Sequence, residues 1–239
     1  MTKYELINKT IYLPNSGILA IGDMHLGQEF LFREPGSQIP ALQLIETKNN
    51  LIEVFKKLKI TGKSIKKVIF LGDIKHFFYY ERGEKNVILE VLFLVGNHIN
   101  RDDIILIKGN HEKMAEIADK KLLDIFIKDR FAFIHGDEEI KEAFGDNVHT
   151  IIMGHLHPAI TLTDKQKVKK EKYKCYLVGK YKNKNIIILP SFVPTHEGTA
   201  TNEYLTDGHC FIPAKSLMKF TVLAIGEKKV FNFGELGKL

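Results

Sequence analysis

Five short polar clusters in this sequence carry residues that bind metals or move protons: Gly22-Asp23-Met24-His25, Gly72-Asp73, Gly109-Asn110-His111-Glu112, His135-Gly136-Asp137 and Gly154-His155-Leu156-His157. Their donors are carboxylates, imidazoles and one asparagine. A mixed oxygen and nitrogen set of this kind suits manganese, iron or zinc, whereas a soft thiolate site requires cysteine. A carboxylate such as Asp73 is able to bridge two cations, its charge offsetting part of their repulsion. Two such cations about 3.5–4 Å apart grip a phosphoryl group and lower the pKa of a bridging water, so that it attacks as hydroxide. The adjacent glycines permit tight turns and close approach of backbone to metal or substrate.

Each cluster follows a short apolar run: Ile18–Ile21, Val68–Leu71, Ile104–Ile107, Phe131–Ile134 and Ile151–Met153. Such runs bounded by glycine read as buried strands. Between the first two, Leu42, Ile45, Leu51, Ile52, Phe55 and Leu58 recur at helical spacing, with Pro40 near the start. A second helix is expected over Asn86–Val95. The result is a β-α-β-α-β order, an α/β fold with a mainly parallel sheet at its start. In open α/β sheets ligands bind beyond the carboxyl ends of the strands, which is where every cluster falls. After His157 the runs at Ile160–Leu162, Tyr173–Val178, Ile186–Leu189 and Phe220–Ile225 follow one another as strands, which points to a second sheet packed on the first. No repeat or Pro/Gly linker divides the chain, and a single domain over residues 1–239 is expected.

The five motifs, in this order and each after a predicted strand, resemble those of the calcineurin-like metallophosphoesterases, over about residues 18 to 192. The resemblance implies a two-sheet sandwich flanked by helices, in αββα layers. It assigns Asp23, His25 and His157 to one metal, Asn110, His135 and His155 to the other, and Asp73 to the bridge. It makes His111 the non-ligand histidine that contacts phosphate and helps protonate the leaving oxygen, a task that suits an imidazole because its pKa lies near working pH. Manganese is the expected metal, with iron, zinc, nickel and magnesium as alternatives. Gly96-Asn97-His98 copies the Gly-Asn-His motif, but it ends an expected helix and is set aside.

Asp73-Ile74-Lys75-His76 is similar to the Asp-x-x-His of SbcD-type DNA nucleases, which would put His76 against the substrate phosphate or in a supporting hydrogen bond. Arg33-x-x-Gly36-x-x-Ile39-Pro40, with Leu189-Pro190-Ser191-Phe192, resembles small archaeal SbcD-related phosphoesterases and bacterial phosphoesterases associated with DNA ligase. Arg33 is either a bidentate phosphate ligand or a surface arginine. The loop Val193–Gly198 departs from those relatives and is expected to border the site. The aromatic run Phe77-Phe78-Tyr79-Tyr80 offers rings to stack on an unpaired base, or to fill the core.

The net charge of +6 and the lysine clusters at Lys56–Lys67 and Lys165–Lys174 suit a polyanion. The leading expectation is therefore phosphodiester hydrolysis on nucleic acid. Hydrolysis of a small ester such as a cyclic nucleotide is the alternative, and a non-catalytic scaffold, as in a retromer subunit of this fold, is the remote one. With only Cys175 and Cys210, a reducing cytoplasm suits the chain better than a disulfide scaffold. No apolar run is long enough to span a membrane, and a stand-alone enzyme without an obligate ATPase partner is expected.

Overall fold

The computed structural model describes residues 4–29, 42–78, 82–164, 169–227 and 229–239. The chain forms two compact units, Met1–Leu123 with Phe192–Thr195, and Asp124–Ser191 with His196–Leu239.

The first unit is built on strands β1 (Glu5–Ile7), β2 (Thr10–Leu13), β3 (Ile18–Ile21), β4 (Lys67–Phe70), β5 (Ile104–Ile107), β6 (Glu116–Ile117) and β7 (Lys120–Leu123). They make one sheet in the order β1-β2-β3-β4-β5-β7-β6. β3, β4, β5 and β7 are parallel, and the hairpins β1–β2 and β6–β7 add antiparallel edges. Helices α1 (Leu42–Ile60) and α2 (Arg82–Gly96) make the crossovers before β4 and β5. Both are amphipathic: α1 buries Leu44, Leu51, Val54, Phe55 and Leu58, and α2 buries Val87, Ile88, Val91, Leu92 and Val95. Lys57 and Lys59 in the last turn of α1 complement its dipole. Strand β3 is buried along its whole length, as a strand covered on both faces must be.

The second unit holds β8 (Phe126–Lys128), β9 (Phe131–Ile134), β10 (Thr150–Met153), β11 (Pro158–Thr163), β12 (Lys170–Tyr181), β13 (Lys184–Ile188), β14 (Thr199–Ala200), β15 (Thr221–Ile225) and β16 (Val230–Glu235), with the four-residue helices α3 (Thr201–Tyr204) and α4 (Ala214–Leu217). The sheet runs β14-β11-β12-β13-β10-β9-β8, and β15 joins β12 to β16. Within it β9, β10 and β13 are parallel. The α/β class expected from the sequence holds: two mixed sheets with flanking helices.

Among the described residues no helix is long and apolar enough to cross a membrane. Cys175 and Cys210 are buried free thiols, and burial pushes the Cys210 pKa up to about 11. They pack as small hydrophobes.

Candidate metal centre

In the first unit three neighbouring parallel strands, β3, β4 and β5, deliver their polar clusters to one edge of the sheet. The loops are fixed there by backbone hydrogen bonds. The amides of Met24 and His25 donate to the Asp73 carbonyl (3.1 and 2.8 Å), and the Leu26 amide donates to Ile74 (2.9 Å). Buried Gln43, at the start of α1, donates from Nε2 to the His25 carbonyl (3.1 Å). The Phe192 amide donates to the Asp23 carbonyl (2.8 Å), and Lys9 Nζ donates to the Phe192 carbonyl (2.9 Å).

Asp23, His25 and Asp73, all buried, thereby offer ligand atoms within 4.8 Å of one another. Asp73 Oδ2 lies 3.6 Å from His25 Nε2 and 3.9 Å from His111 Nε2, while Asp73 Oδ1 accepts from the His111 amide (3.1 Å). Both Oδ2 separations exceed hydrogen-bond length; for His25, an expected ligand, that is the spacing of atoms that face a shared cation. His76, His25 and His111 form a second group of converging ring nitrogens. The His111 Nδ1 is bonded to the His76 carbonyl. A carbonyl only accepts, so Nδ1 carries the proton and Nε2 is left to face Asp73. Burial first, then the charge of His111, lowers the His76 pKa below the ordinary imidazole value, against a raising effect of Asp73. Asn110 is exposed, between buried Gly109 and half-buried His111.

Two acids that the motifs did not single out organise this loop cluster. Glu112, almost wholly buried, accepts from the amides of Asp73 (3.0 Å) and Gly109 (2.8 Å) through Oε2, and from Lys75 (3.1 Å) through Oε1. Glu84, in the first turn of α2, accepts from the amides of His76 (2.6 Å) and Phe77 (2.9 Å). Glu112 already stands in the Gly-Asn-His-Glu run, so its position was visible but its task was not; Glu84 had no signal of its own.

Gly109 shows how tightly this edge is built. A Cβ there would overlap the backbone nitrogen and Oδ1 of Asp73 and come within 3.0 Å of Glu112 Oε2. Gly109→Ala is expected to push Asp73 out of place, with loss of divalent metal and destabilisation of about 1–3 kcal/mol. Metal analysis and thermal melting check this; full metal content with an unchanged melting temperature would contradict it.

In the second unit the parallel neighbours β9 and β10 end in register at Ile134 and Met153, which places His135 and His155 at one edge. Their ring nitrogens, His155 Nδ1 and His135 Nε2, are 3.0 Å apart. Two imidazole nitrogens this close need either a proton between them or a cation in front of both. His157 follows, its carbonyl accepting from the Thr199 amide (2.8 Å), and the His196 ring packs edge-on against it with centroids 4.8 Å apart. The loop Val193–Gly198 thus brings an unassigned histidine beside His157. Gly198 makes the approach possible, since a Cβ there would come within 2.6 Å of the His157 carbonyl oxygen.

The backbone marks the same residues. Among the described residues, non-glycine positive φ occurs in two settings. One is the two-residue hairpin turns: Asn8 before β2, Ala118-Asp119, Asp129-Arg130 and Lys182-Asn183. The other is His25 (40°), Asp73 (42°), His155 (64°) and His157 (49°), four of the seven expected metal ligands. Left-handed backbone at non-glycine residues is costly and concentrates where function demands it. Donor chemistry, spacing and strain all fit divalent ions. Arg33 lies outside the described residues. His98 is elsewhere, stacked on Phe55 of α1 (centroids 4.1 Å, 14° between planes). It follows the end of α2 and precedes β5, so it belongs to the amino-end side of the strands rather than the ligand edge.

Strand-end clusters, of buried aspartates and histidines in the first sheet and of histidines in the second, fit a metal-dependent hydrolase. The family model for calcineurin-like phosphoesterases matches residues 17–208, across both units. The chain belongs to that family and is a metal-dependent phosphoesterase. The crystal structure of Pseudomonas putida nuclease MPE is similar in fold, with a TM-score of 0.59, 18% identity, and coverage of 96% of this chain and 100% of that one. Two structures of Vps29 from Entamoeba histolytica, one of a single mutant and one of the wild type complexed with zinc, have TM-scores of 0.35. Their identities are 13% and 16%; the first comparison covers 90% of this chain and 96% of the other, the second 89% and 88%. No curated protein sequence matches the chain.

Proposed function

We propose that the two ligand sets work as one catalytic domain, residues 1–239, that holds two divalent ions and hydrolyses phosphodiester bonds of nucleic acid in the cytoplasm. Asp23, His25 and His157 would hold one ion, Asn110, His135 and His155 the other, with Asp73 between them; manganese suits this mixture of oxygen and nitrogen donors. When bound, such a pair would lower the pKa of a coordinated water towards neutrality and offset the charge of the phosphate. The remaining tasks fall to the chain. Glu112 holds the Asp73 amide and the turn at Gly109 in place. His111, its Nδ1 proton committed to the His76 carbonyl, would in its doubly protonated form donate Nε2–H to the phosphate and pass that proton to the leaving oxygen.

The single observation that carries the substrate reading is the position of His76. Its ring centroid lies 5.6 Å from that of His25 and 5.8 Å from that of His111, which supports a role for the Asp-x-x-His histidine beside the phosphate. The nuclease function of the Pseudomonas putida protein agrees with it. The lysine clusters give less support than their count suggests. Lys63 pairs with Glu5, Lys67 with Asp103, Lys56 with Glu53 (3.9 Å), Lys170 with Glu203 (3.4 Å) and Lys172 with Glu197 (3.1 Å). Those pairings favour the second reading, a small phosphodiester such as a cyclic nucleotide.

Salt separates the two. With manganese present, cleavage of a single-stranded oligonucleotide is expected to fall steeply as salt rises, with a log–log slope of about −0.7 per phosphate contacted. Turnover of methyl p-nitrophenyl phosphate should be nearly indifferent. Absence of oligonucleotide cleavage beside brisk turnover of the small diester would establish the second reading.

A further inference from the structure

Of the aromatic run after His76, Phe77 and Phe78 take opposite directions; Tyr79 and Tyr80 lie outside the described residues. Glu84 fixes the amides of His76 and Phe77, and Phe77 turns inward to 7% exposure. Phe78 turns outward and stays 48% exposed. Its ring stacks on the His111 imidazole, with centroids 4.1 Å apart and 26° between the planes. His111 is itself held through Nδ1 by the His76 carbonyl, so Phe78 rests on a fixed group. The Lys113 ammonium, two residues beyond His111, lies 5.6 Å from the Phe78 ring centroid.

We propose that Phe78 is the stacking platform for the unpaired base of the nucleotide adjoining the cleaved phosphate, and that Lys113 supplies the cation for the next phosphate. This rests on the nucleic-acid reading above. A phosphate engaged by His111 would have an aromatic surface immediately beside it. Sugar phosphates and glycerol-based diesters have no flat group to use that surface, whereas every nucleobase has a π-face that stacks without regard to sequence. Bases within a duplex have both faces covered by their neighbours, so the platform selects single strands and frayed ends.

The test couples the ring to the base. Wild-type protein and Phe78→Ala are compared, under manganese, on an oligonucleotide with its normal base beside the cleaved bond and on the same strand abasic at that position, on either side in turn. The parent is expected to prefer the base-containing strand by on the order of 10-fold in kcat/KM. In Phe78→Ala the preference should collapse to about 1, and Phe78→Trp should restore it. If the ring merely braces His111, Phe78→Ala slows both strands alike and the preference survives, which overturns the proposal. Equal rates on both strands in the parent overturn it as well. Failure of the parent to cut either strand, while it turns over methyl p-nitrophenyl phosphate, removes the nucleic-acid reading and the platform with it; the other two failures leave that reading standing.

Discussion

His111→Ala is expected to keep both metal ions and lose about 10²–10⁴-fold in kcat, the usual cost of removing a positioned proton donor. No expected metal ligand is deleted. What goes is the Nε2 that faces Asp73, together with the bond from Nδ1 that fixes the ring. The His98→Ala variant is the control. His98 belongs to the other copy of the Gly-Asn-His sequence and stacks on Phe55, so its removal should leave turnover near the parent rate. Metal content by elemental analysis, beside steady-state rates on a small diester, reads both effects. A crippled His98→Ala with a mildly affected His111→Ala would reverse the roles of the two copies.

Asp73→Asn separates charge from shape. The amide keeps an oxygen to accept from the His111 backbone and fills the same volume, but it removes the charge expected to hold two cations together. Loss of an outer partner of a metal ligand costs about 10–100-fold in affinity, and loss of the bridge itself should cost at least about 100-fold. The metal-free protein should behave in the opposite sense. A buried carboxylate without its cation is a burden to the fold, so the variant is expected to melt at or above the parent temperature when chelator is present. Manganese should then raise the parent melting temperature far more than that of the variant. Titration calorimetry and paired melts with and without metal measure this. A variant that binds two ions as tightly as the parent would remove Asp73 from the bridge.

The strands that deliver ligands were legible because each is a continuous apolar run that ends in glycine and a polar cluster, and β3, β4, β5, β9 and β10 stand where those runs lie. The two crossover helices were legible from apolar spacing. The hairpins β6–β7 and β8–β9 were not. Their turns, Ala118-Asp119 and Asp129-Arg130, take the left-handed backbone of tight hairpins without the Asn-Gly or Asp-Gly pair that announces it. Strands of two to four residues such as β6 and β8 carry too few side chains to show a period, and the neighbouring strand defines them. Glu112 and Glu84 escaped for another reason. Charged residues belong on the surface by default, and these two are buried because backbone amides of the site loops need acceptors. The aromatic run was ambiguous in sequence because position alone does not tell an inward ring from an outward one; the amides held by Glu84 decide it.

Phe192 is buried in the core of the first unit, and its amide holds the Asp23 carbonyl, yet it arrives only after the second unit has been largely written out. On the ribosome, β3 and the ligand loop behind it emerge early and then wait for a clamp encoded far downstream. During that interval the first unit has its sheet and both long helices but lacks the Phe192 bond to the Asp23 carbonyl. A nascent chain stopped at Leu123 would hold the His25 loop through the Asp73 carbonyl but would lack the tie from Phe192.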